Sequence, residues 1–395
     1  MKNKTQTLFA FLMLLNIFCW NGSADDDLSP MEENEQESLY LAIQDFVGKD
    51  WNGSDLYPDP CGWTPIQGVS CDFFNGFWHV TDLNIGQVYE NSLNCSTSAE
   101  FGHHLFELKY LRKLSFTNCF LLSSDHQKPV KIPVSGWEKL ADNLVHLEFR
   151  SNPGLTGKIP TTIGSLTNLE SLVLVGNALT GELPPEIGNF HELKRLVLAG
   201  NRFTGQIPAS LGGLNQLLIF DASRNYLSRE LPRSFDGLTS LLKLDLSYNL
   251  LVGRLPKEIG ELRSVTLLDL SYNNFSGGDL MEIEWKNLQN LQVLVLSNSA
   301  LGGNLPNSIA EMKKLRFLGL NSNRFTGIIP QEIENLPSIS AIYLDGNNFT
   351  GKLEFSELFY EKIGSHFRAS NNVHLCCPLQ FLFSRHFPVG VKQCE

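Results

Sequence analysis

The sequence predicts an α/β fold: a right-handed solenoid with a parallel β-sheet on its concave face and short helical or irregular segments on its convex face. The first observation is repetition, because the pattern L-x-x-L-x-L-x-x-N that begins at Leu169 begins again at Leu193. The second is the alternation L-x-L, which is typical of a short strand with inward leucines. The third is that one such turn cannot bury its apolar face, whereas stacked turns share a continuous core.

This pattern is the leucine-rich repeat. The strands are predicted to begin at Val80, Leu111, Leu144, Leu169, Leu193, Leu217, Leu241, Val265, Leu291, Leu315 and Ile339, with a degenerate last copy from Gly364. We therefore assign residues 80–372 to a solenoid of about 11–12 repeats. The residue that follows each strand can bond to backbone groups of adjacent turns that would otherwise be buried and unpaired. These ladder positions hold Cys119, Asn152, Asn177, Asn201, Asn225, Asn249, Asn273, Ser299, Asn323, Asn347 and Asn372.

The two ends differ from the repeats. Residues 1–24 have the basic start, apolar centre and small residues of a secretory signal peptide. Removing Lys2 and Lys4 with it changes the formal charge from −11 to −13. Residues 25–79 form a predicted cap, with an amphipathic helix around Leu39–Val47 followed by a loop closed by Cys61 and Cys71. Residues 373–395 form a C-terminal cap or tail.

The cysteines and glycosylation motifs agree with secretion. Seven cysteines remain after the signal peptide, so one thiol is free or pairs outside the chain. We predict a cap disulfide from Cys377 to Cys394, and the pairing of Cys95, Cys119 and Cys376 stays open. Four sequons predict N-glycans at Asn52, Asn94, Asn274 and Asn348. The predicted location is extracellular, in the cell wall or at the plasma membrane.

Composition argues against several functions. The acidic balance and the absence of Lys/Arg clusters disfavour nucleic acid as a partner. No segment after the signal peptide is predicted to span a membrane directly. His103 and His104 lack the partnered Cys/His spacing of a metal site. Catalytic and phosphate-binding motifs are missing, so we expect neither an enzyme nor a cofactor.

A second motif, L-x-G-x-[IL]-P, follows the ladder residues, as in 179–184 and 301–306. It resembles the plant-type repeats of receptor kinases, receptor-like proteins and polygalacturonase inhibitors over roughly residues 35–377. The N-terminal helix and the Cys61–Cys71 loop resemble the cap of that family. The two long early repeats and FRASNNVHLCCP are similar to Piriformospora indica-insensitive-type proteins. This resemblance implies a secreted, non-catalytic recognition protein in microbe perception, defence or symbiosis signalling. The implied partners are a peptide or protein ligand and a receptor-kinase co-receptor. The alternative is an inhibitor of secreted cell-wall-degrading enzymes.

Candidate binding residues occupy the non-leucine positions of the predicted concave face. Asp221, Asp245 and Asp269 recur at one strand position, which favours either a site for a cation or basic ligand or local bonds to backbone and Ser. Apolar, Tyr and Arg residues on an exposed face are typical of protein-binding patches, although small aliphatics also suit strands. The other candidates are Glu148, Arg150, Val173, Val175, Val197, Arg224, Tyr248, Tyr272 and Tyr343.

The repeat is irregular at three places. The turn from Asn273 to Ser299 has extra residues and lacks its I-P, and Arg229 stands where other turns have Gly. The first two intervals contain insertions around residues 86–109 and 120–143. Insertions in repeat proteins fall in loops, often on the binding side, but they also accumulate at solenoid ends by drift.

Overall fold

The computed structural model describes residues 31–87, 93–121, 128–276, 280–378 and 390–394. The predicted signal peptide lies outside these residues. Within them, each turn of the chain contributes a strand to one long sheet, a bend at the ladder residue, a second short strand or bridge on most turns, and a helical segment on the opposite side. The predicted α/β leucine-rich-repeat solenoid is confirmed.

The long sheet, which we call the concave sheet, has thirteen strands in chain order among the described residues. The first two strands form an antiparallel hairpin, and every later neighbour pairs in parallel, as a stack of identical turns requires. The strands are Val69–Phe74, Phe77–Gly86, Lys113–Thr117, His146–Arg150, Ser171–Val175, Arg195–Val197, Ile219–Asp221, Lys243–Asp245, Leu267–Asp269, Val293–Val295, Phe317–Gly319, Ala341–Tyr343 and Phe367–Arg368. The last of these confirms the degenerate copy that begins at Gly364.

Two shorter lateral sheets run beside the concave sheet. The first contains Val130–Lys131, Leu155–Gly157, Ala178–Glu182, Arg202–Gly205, Tyr226–Arg229 and Leu250–Leu251. The second contains Gly302–Asn304, Arg324–Gly327, Asn348–Lys352, His374–Cys377 and Lys392–Gln393. The break between them falls at the irregular turn from Asn273 to Ser299, where a single bridge joins Val252 to Asn274.

Helical segments close each turn on the side away from the concave sheet. The α-helices are α1, Glu33–Val47; α2, Gly53–Leu56; and α3, Glu357–Ile363. The 3₁₀ segments are His103–Glu107, Trp137–Leu140, Thr161–Ser165, Pro185–Asn189, Ala209–Gly213, Arg233–Gly237, Lys257–Glu261, Leu280–Glu282, Trp285–Asn287, Asn307–Glu311, Gln331–Asn335 and Gly364–His366. Several begin directly after the Pro of the L-x-G-x-[IL]-P motif, whose φ is set for this turn and which supplies no N–H to a strand.

The core is one continuous row of repeat leucines. In the turn that begins at Leu169, the side chains of Leu169, Leu172, Leu174 and Leu179 are fully buried. α1 covers the first turn with Leu39, Ala42, Ile43 and Phe46. The helix is also tied to the solenoid by Glu35, whose carboxylate contacts His79 Nδ1 at 2.7 Å and accepts the Val80 N–H at 2.8 Å.

The ladder asparagines bond as the sequence predicts. The Asn225 side-chain oxygen accepts the N–H of Phe203 in the preceding turn at 3.1 Å. Its Nδ2 donates to the carbonyls of Leu198 at 2.9 Å and Ala222 at 3.1 Å. Asn249 and Asn347 repeat the arrangement. Each amide therefore joins two turns through backbone groups that are buried.

The disulfides correct one prediction. Cys61–Cys71 forms as predicted, and Cys95 pairs with Cys119. At the C-terminus the bond is Cys376–Cys394, so the predicted Cys377–Cys394 bond is wrong. Adjacent strand residues point to opposite faces, and in His374–Cys377 the buried position belongs to Cys377. Cys377 is the free buried thiol, and its burial raises its pKa to about 11 despite a bond to Tyr360 that lowers it.

Candidate functional site

The acidic column on the concave sheet is bonded within the fold. Asp221, Asp245 and Asp269 lie in register on three adjacent strands. Each carboxylate accepts bonds from the Ser two residues later: in the middle turn, Asp245 accepts from Ser247 Oγ at 2.7 Å and from Ser247 N at 3.2 Å. Of the two functions considered for this column, the structure supports the local bonding of Asp to Ser and backbone.

Lys243 neutralises much of the column, and the sequence analysis missed it. Its Nζ lies 2.7 Å from Asp221 Oδ2 and 3.4 Å from Asp245 Oδ2. Burial alone lowers the pKa of Lys243, but the bonds and charges of the two carboxylates raise it above its usual value. The signal was present, since Lys243 and Asp245 are two residues apart on one strand and so share a face. The column is therefore a poor receptor for a basic ligand.

An ordered stack of Arg and Tyr stands beside the column. Arg224, Tyr248 and Tyr272 each lie three residues beyond the end of a strand, at the carboxyl edge of the concave sheet. All three have left-handed backbone, with φ of 54–55°. The Arg224 guanidinium lies 4.5 Å from the centre of the Tyr248 ring, and Tyr248 stacks on Tyr272 at 4.1 Å. The side chain of Tyr272 raises the pKa of Tyr248. We call these three residues the Arg–Tyr stack.

The aliphatic candidates are less accessible than predicted. Val173 is fully buried, so its assignment as an exposed binding residue is wrong. It lies between Glu148 and Val197 on the neighbouring strands, and side chains at one strand spacing close over a short valine. Val175 and Val197 are half-buried.

Three further candidates lie away from the Arg–Tyr stack. Glu148 and Arg150 form an ion pair with each other at 2.9 Å, several turns before the stack. Tyr343 lies several turns after it, packed edge-on against Phe317 at 5.3 Å and beneath Arg368 at 5.4 Å. The structure therefore joins Asp221, Asp245 and Asp269 with Arg224, Tyr248 and Tyr272 in one region and leaves these three outside it.

A groove of about 690 Å³ continues from the Arg–Tyr stack towards the C-terminus, across the break between the lateral sheets. We call it the lateral groove. Its lining includes residues that directly precede ladder positions, namely Tyr272, Asn298 and Ser322. It also includes residues that directly follow them, namely Leu250, Asn274, Ala300 and Arg324. The irregular repeat length marked this region in the sequence, but repeat spacing alone does not reveal a groove.

The remaining site predictions concern glycans, metals and membranes. Asn52, Asn94, Asn274 and Asn348 are all exposed, which leaves their glycosylation a prediction that the geometry permits. Among the described residues no cluster of three or more His, Cys, Asp or Glu side chains is arranged to hold a metal. In the same part of the chain, no helix combines the length and apolarity needed to cross a bilayer.

Comparison with known proteins agrees with the repeat pattern. The leucine-rich-repeat family matches residues 168–190, 191–251 and 290–349. Over 180 residues the chain is 54% identical to Piriformospora indica-insensitive protein 2 of Arabidopsis thaliana. Over 175 residues it is 32% identical to Receptor like protein 29 of the same plant. The chain thus contains leucine-rich repeats, and over the matched segments it is similar to these two plant proteins. The matched segments cover 44% and 43% of this chain and 41% and 35% of those relatives, so it spans less than half of their lengths.

Solved structures of plant receptor ectodomains are similar to this chain in fold. The PEPR1–AtPEP1 complex matches with a TM-score of 0.63 and 26% identity, over 87% of this chain and 49% of that one. The receptor kinase HAESA of Arabidopsis, solved with the peptide hormone IDA and the co-receptor SERK1, matches with a TM-score of 0.51 and 25% identity. That match covers 88% of this chain and 66% of the solved chain.

Proposed function

We propose that the protein is a non-catalytic extracellular recognition module that binds a peptide or protein ligand across the carboxyl edge of its concave sheet. It acts with a membrane-bound receptor kinase as co-receptor, in microbe perception, defence or symbiosis signalling. The Arg–Tyr stack is the observation that carries the proposal. Tyr and Arg are the residues most enriched at binding hot spots, and here they are exposed yet held in place by one another.

Pre-organisation is the reason that the stack suits binding. An exposed side chain usually loses rotamer freedom when a partner binds, at about 0.5–1.5 kcal/mol for each flexible side chain. Arg224, Tyr248 and Tyr272 are already fixed against each other, so a partner would order them at little further cost. The HAESA complex, in which a related ectodomain holds both a peptide hormone and a co-receptor, supports the same kind of ligand here.

The secreted location fits the chemistry of the chain. Three disulfides join Cys61 to Cys71, Cys95 to Cys119 and Cys376 to Cys394. Such bonds persist in oxidising compartments such as the extracellular space and are rare in the cytosol. The four exposed sequons would receive glycans on that route.

Capture from plant extracellular fluid tests the proposal. The purified glycosylated protein is immobilised, and bound partners are eluted and identified by mass spectrometry. Saturable capture of a receptor kinase or a secreted peptide is the expected result. Capture of a polygalacturonase or another cell-wall hydrolase would support the inhibitor instead, and an absence of saturable binding would indicate a purely structural wall protein.

A further inference from the structure

Free positive charges lie in the lateral groove and in the turns that precede it. Arg324 is the one charged residue among those that line the groove. Arg202 occupies the same repeat position as Arg324 two turns before the groove begins, and Arg224 lies just before the ladder residue Asn225; all three are exposed. In the part of the chain that the structure describes, no carboxylate lies within 4.0 Å of their guanidinium groups. Within the described residues, one unpaired guanidinium thus lies in the groove and two lie in the turns that precede it, although the whole chain is acidic.

The nearest carboxylates on the concave sheet do not reverse this balance. Asp221 and Asp245 share Lys243, and Asp269 is held by Ser271. Burial raises the pKa of Asp269, which means that its surroundings disfavour the negative charge. For a basic ligand, the three aspartate carboxylates of the protein are therefore already bonded. For a carboxylate of a partner, in contrast, the three arginine guanidinium groups are not paired with any carboxylate of the described residues.

Exposed apolar surface accompanies these charges. Four large side chains at the same two repeat positions are 40–56% exposed, in contrast to the buried leucines beside them: Tyr226, Tyr248, Leu250 and Tyr272. The two faces of the Tyr248 ring are taken by Arg224 and Tyr272, so its edge is what a partner meets. Leucine and phenylalanine side chains of a partner can pack on this ring edge and on Leu250.

We propose that the lateral groove and the Arg–Tyr stack bind an extended acidic peptide segment, with carboxylates on Arg202 and Arg324 and apolar side chains between them. The inference rests on the proposed function and names its ligand class. Arg202 and Arg324 are five turns apart in the repeat, about 24 Å at one strand spacing per turn. An extended peptide covers this distance with about seven residues. Arginine can hold each carboxylate through two parallel N–H donors.

Synthetic peptides test the charge preference directly. The first probe is a peptide of about eight residues with glutamate and leucine side chains and blocked termini. The second has glutamine in place of every glutamate, and the third is an oligogalacturonate, an anionic carbohydrate. Affinities are measured by calorimetry with the full mature chain, with and without Asn274→Gln, because a glycan on Asn274 would stand in the groove wall.

The expected result is that the glutamate peptide binds about tenfold or more tightly than the glutamine peptide, and that added salt reduces the difference. Arg202→Gln with Arg324→Gln should abolish the preference. Arg233→Gln with Lys257→Gln removes the same charge from exposed convex positions and should preserve it.

Equal affinities for the two peptides, no binding of either, or a preference that survives Arg202→Gln with Arg324→Gln would overturn the inference. Arginine-dependent binding of the oligogalacturonate alone would also overturn it and assign the groove to an anionic carbohydrate. If partner capture depends on Tyr248 and Tyr272 but not on these arginines, the proposed function stands and this inference fails.

Discussion

Tyr248 and Tyr272 stack face to face, with ring centroids 4.1 Å apart and planes 9° from parallel. They occupy the same position in successive turns, so the repeat itself brings the rings together. Their left-handed φ places them past the strands, at the edge where a partner can reach both the concave sheet and the lateral groove. The stack is therefore the fixed point on which the proposed recognition surface is built.

The hydrogen bonds of the ladder predict that replacing a single ladder asparagine lowers the stability of the protein substantially. Asn225→Ala removes the partner of Phe203 N–H and of two buried carbonyls, and should lower the free energy of unfolding by about 1–3 kcal/mol. The neighbouring turns should lose hydrogen-exchange protection as well, because a repeat array is stabilised by its interfaces. Asn215→Ala, at an exposed position of the preceding turn, is the control and should change little. A melting curve for Asn225→Ala equal to that of the parent would show that the ladder is dispensable.

Arg229 predicts a stabilising substitution. Its φ is 73°, at a position where Gly157, Gly181, Gly205 and Gly253 have φ of 75–85°. A residue with a Cβ is strained there by about 1–2 kcal/mol, part of which the greater freedom of unfolded glycine offsets. Arg229→Gly should thus raise the free energy of unfolding by about 0.5–1 kcal/mol in urea titrations. Arg202→Gly, at a position without left-handed backbone, should lower it; a fall in both variants would refute the strain.

The C-terminal cap predicts which cysteine is free. Cys377 should resist alkylation in the folded protein, because it is buried and its pKa is raised to about 11, and should react after unfolding without reductant. Cys377→Ala should remove this latent thiol and keep the Cys376–Cys394 bond. Cys376→Ala should leave Cys394 without its partner, so that thiol remains to be titrated in this variant. Rapid labelling of Cys377 in the native state, or a disulfide lost in Cys377→Ala, would contradict the assignment.

The acidic column predicts a dependence of stability on pH. Burial raises the folded-state pKa of Asp269, so the folded chain holds more protons than the unfolded chain between the two pKa values. The stabilisation of the folded chain that results is fully present below the pKa of Asp269 in the unfolded chain, and it is lost as the pH rises through the pKa in the folded chain. As the pH falls from about 7 to about 4, the free energy of unfolding of the parent should therefore rise relative to that of Asp269→Asn. Urea unfolding of both proteins at the two pH values measures this difference. Parallel pH profiles for the two proteins would contradict this role.

The fold could be predicted well from the sequence because every turn repeats the same pattern of buried and hydrogen-bonded positions. Leu172, Leu174 and Leu179 must be inward for the turns to share a core, and Asn177 must bond between turns, so one pattern determines strand, bend and ladder. The last strand, Phe367–Arg368, could be placed although its copy is degenerate. The hairpin of the cap and the Cys376–Cys394 bond lie outside the repeat and could not be read from it.

The candidate site was predicted less completely, because exposure depends on neighbouring turns. Val173 has a binding-face position in the repeat, but Glu148 and Val197 lie against it and it is buried. Lys243 could not be found from the repeat pattern, because Ile219 and Leu267 hold its position on the adjacent strands. The lateral groove lies at the break between the two lateral sheets, which is a property of three-dimensional stacking and not of repeat spacing.

The affinity of the captured partner for the Tyr248→Ala, Tyr272→Ala double variant tests the recognition surface most directly. Truncating anchors at a binding surface commonly costs about 2 kcal/mol or more, so the Kd should rise about thirtyfold or more while the melting temperature stays near that of the parent. Lys257→Ala with Arg233→Ala, on the convex side, should leave the Kd unchanged. A double tyrosine variant that binds as tightly as the parent would contradict the account and direct attention to the insertions of the first two repeats.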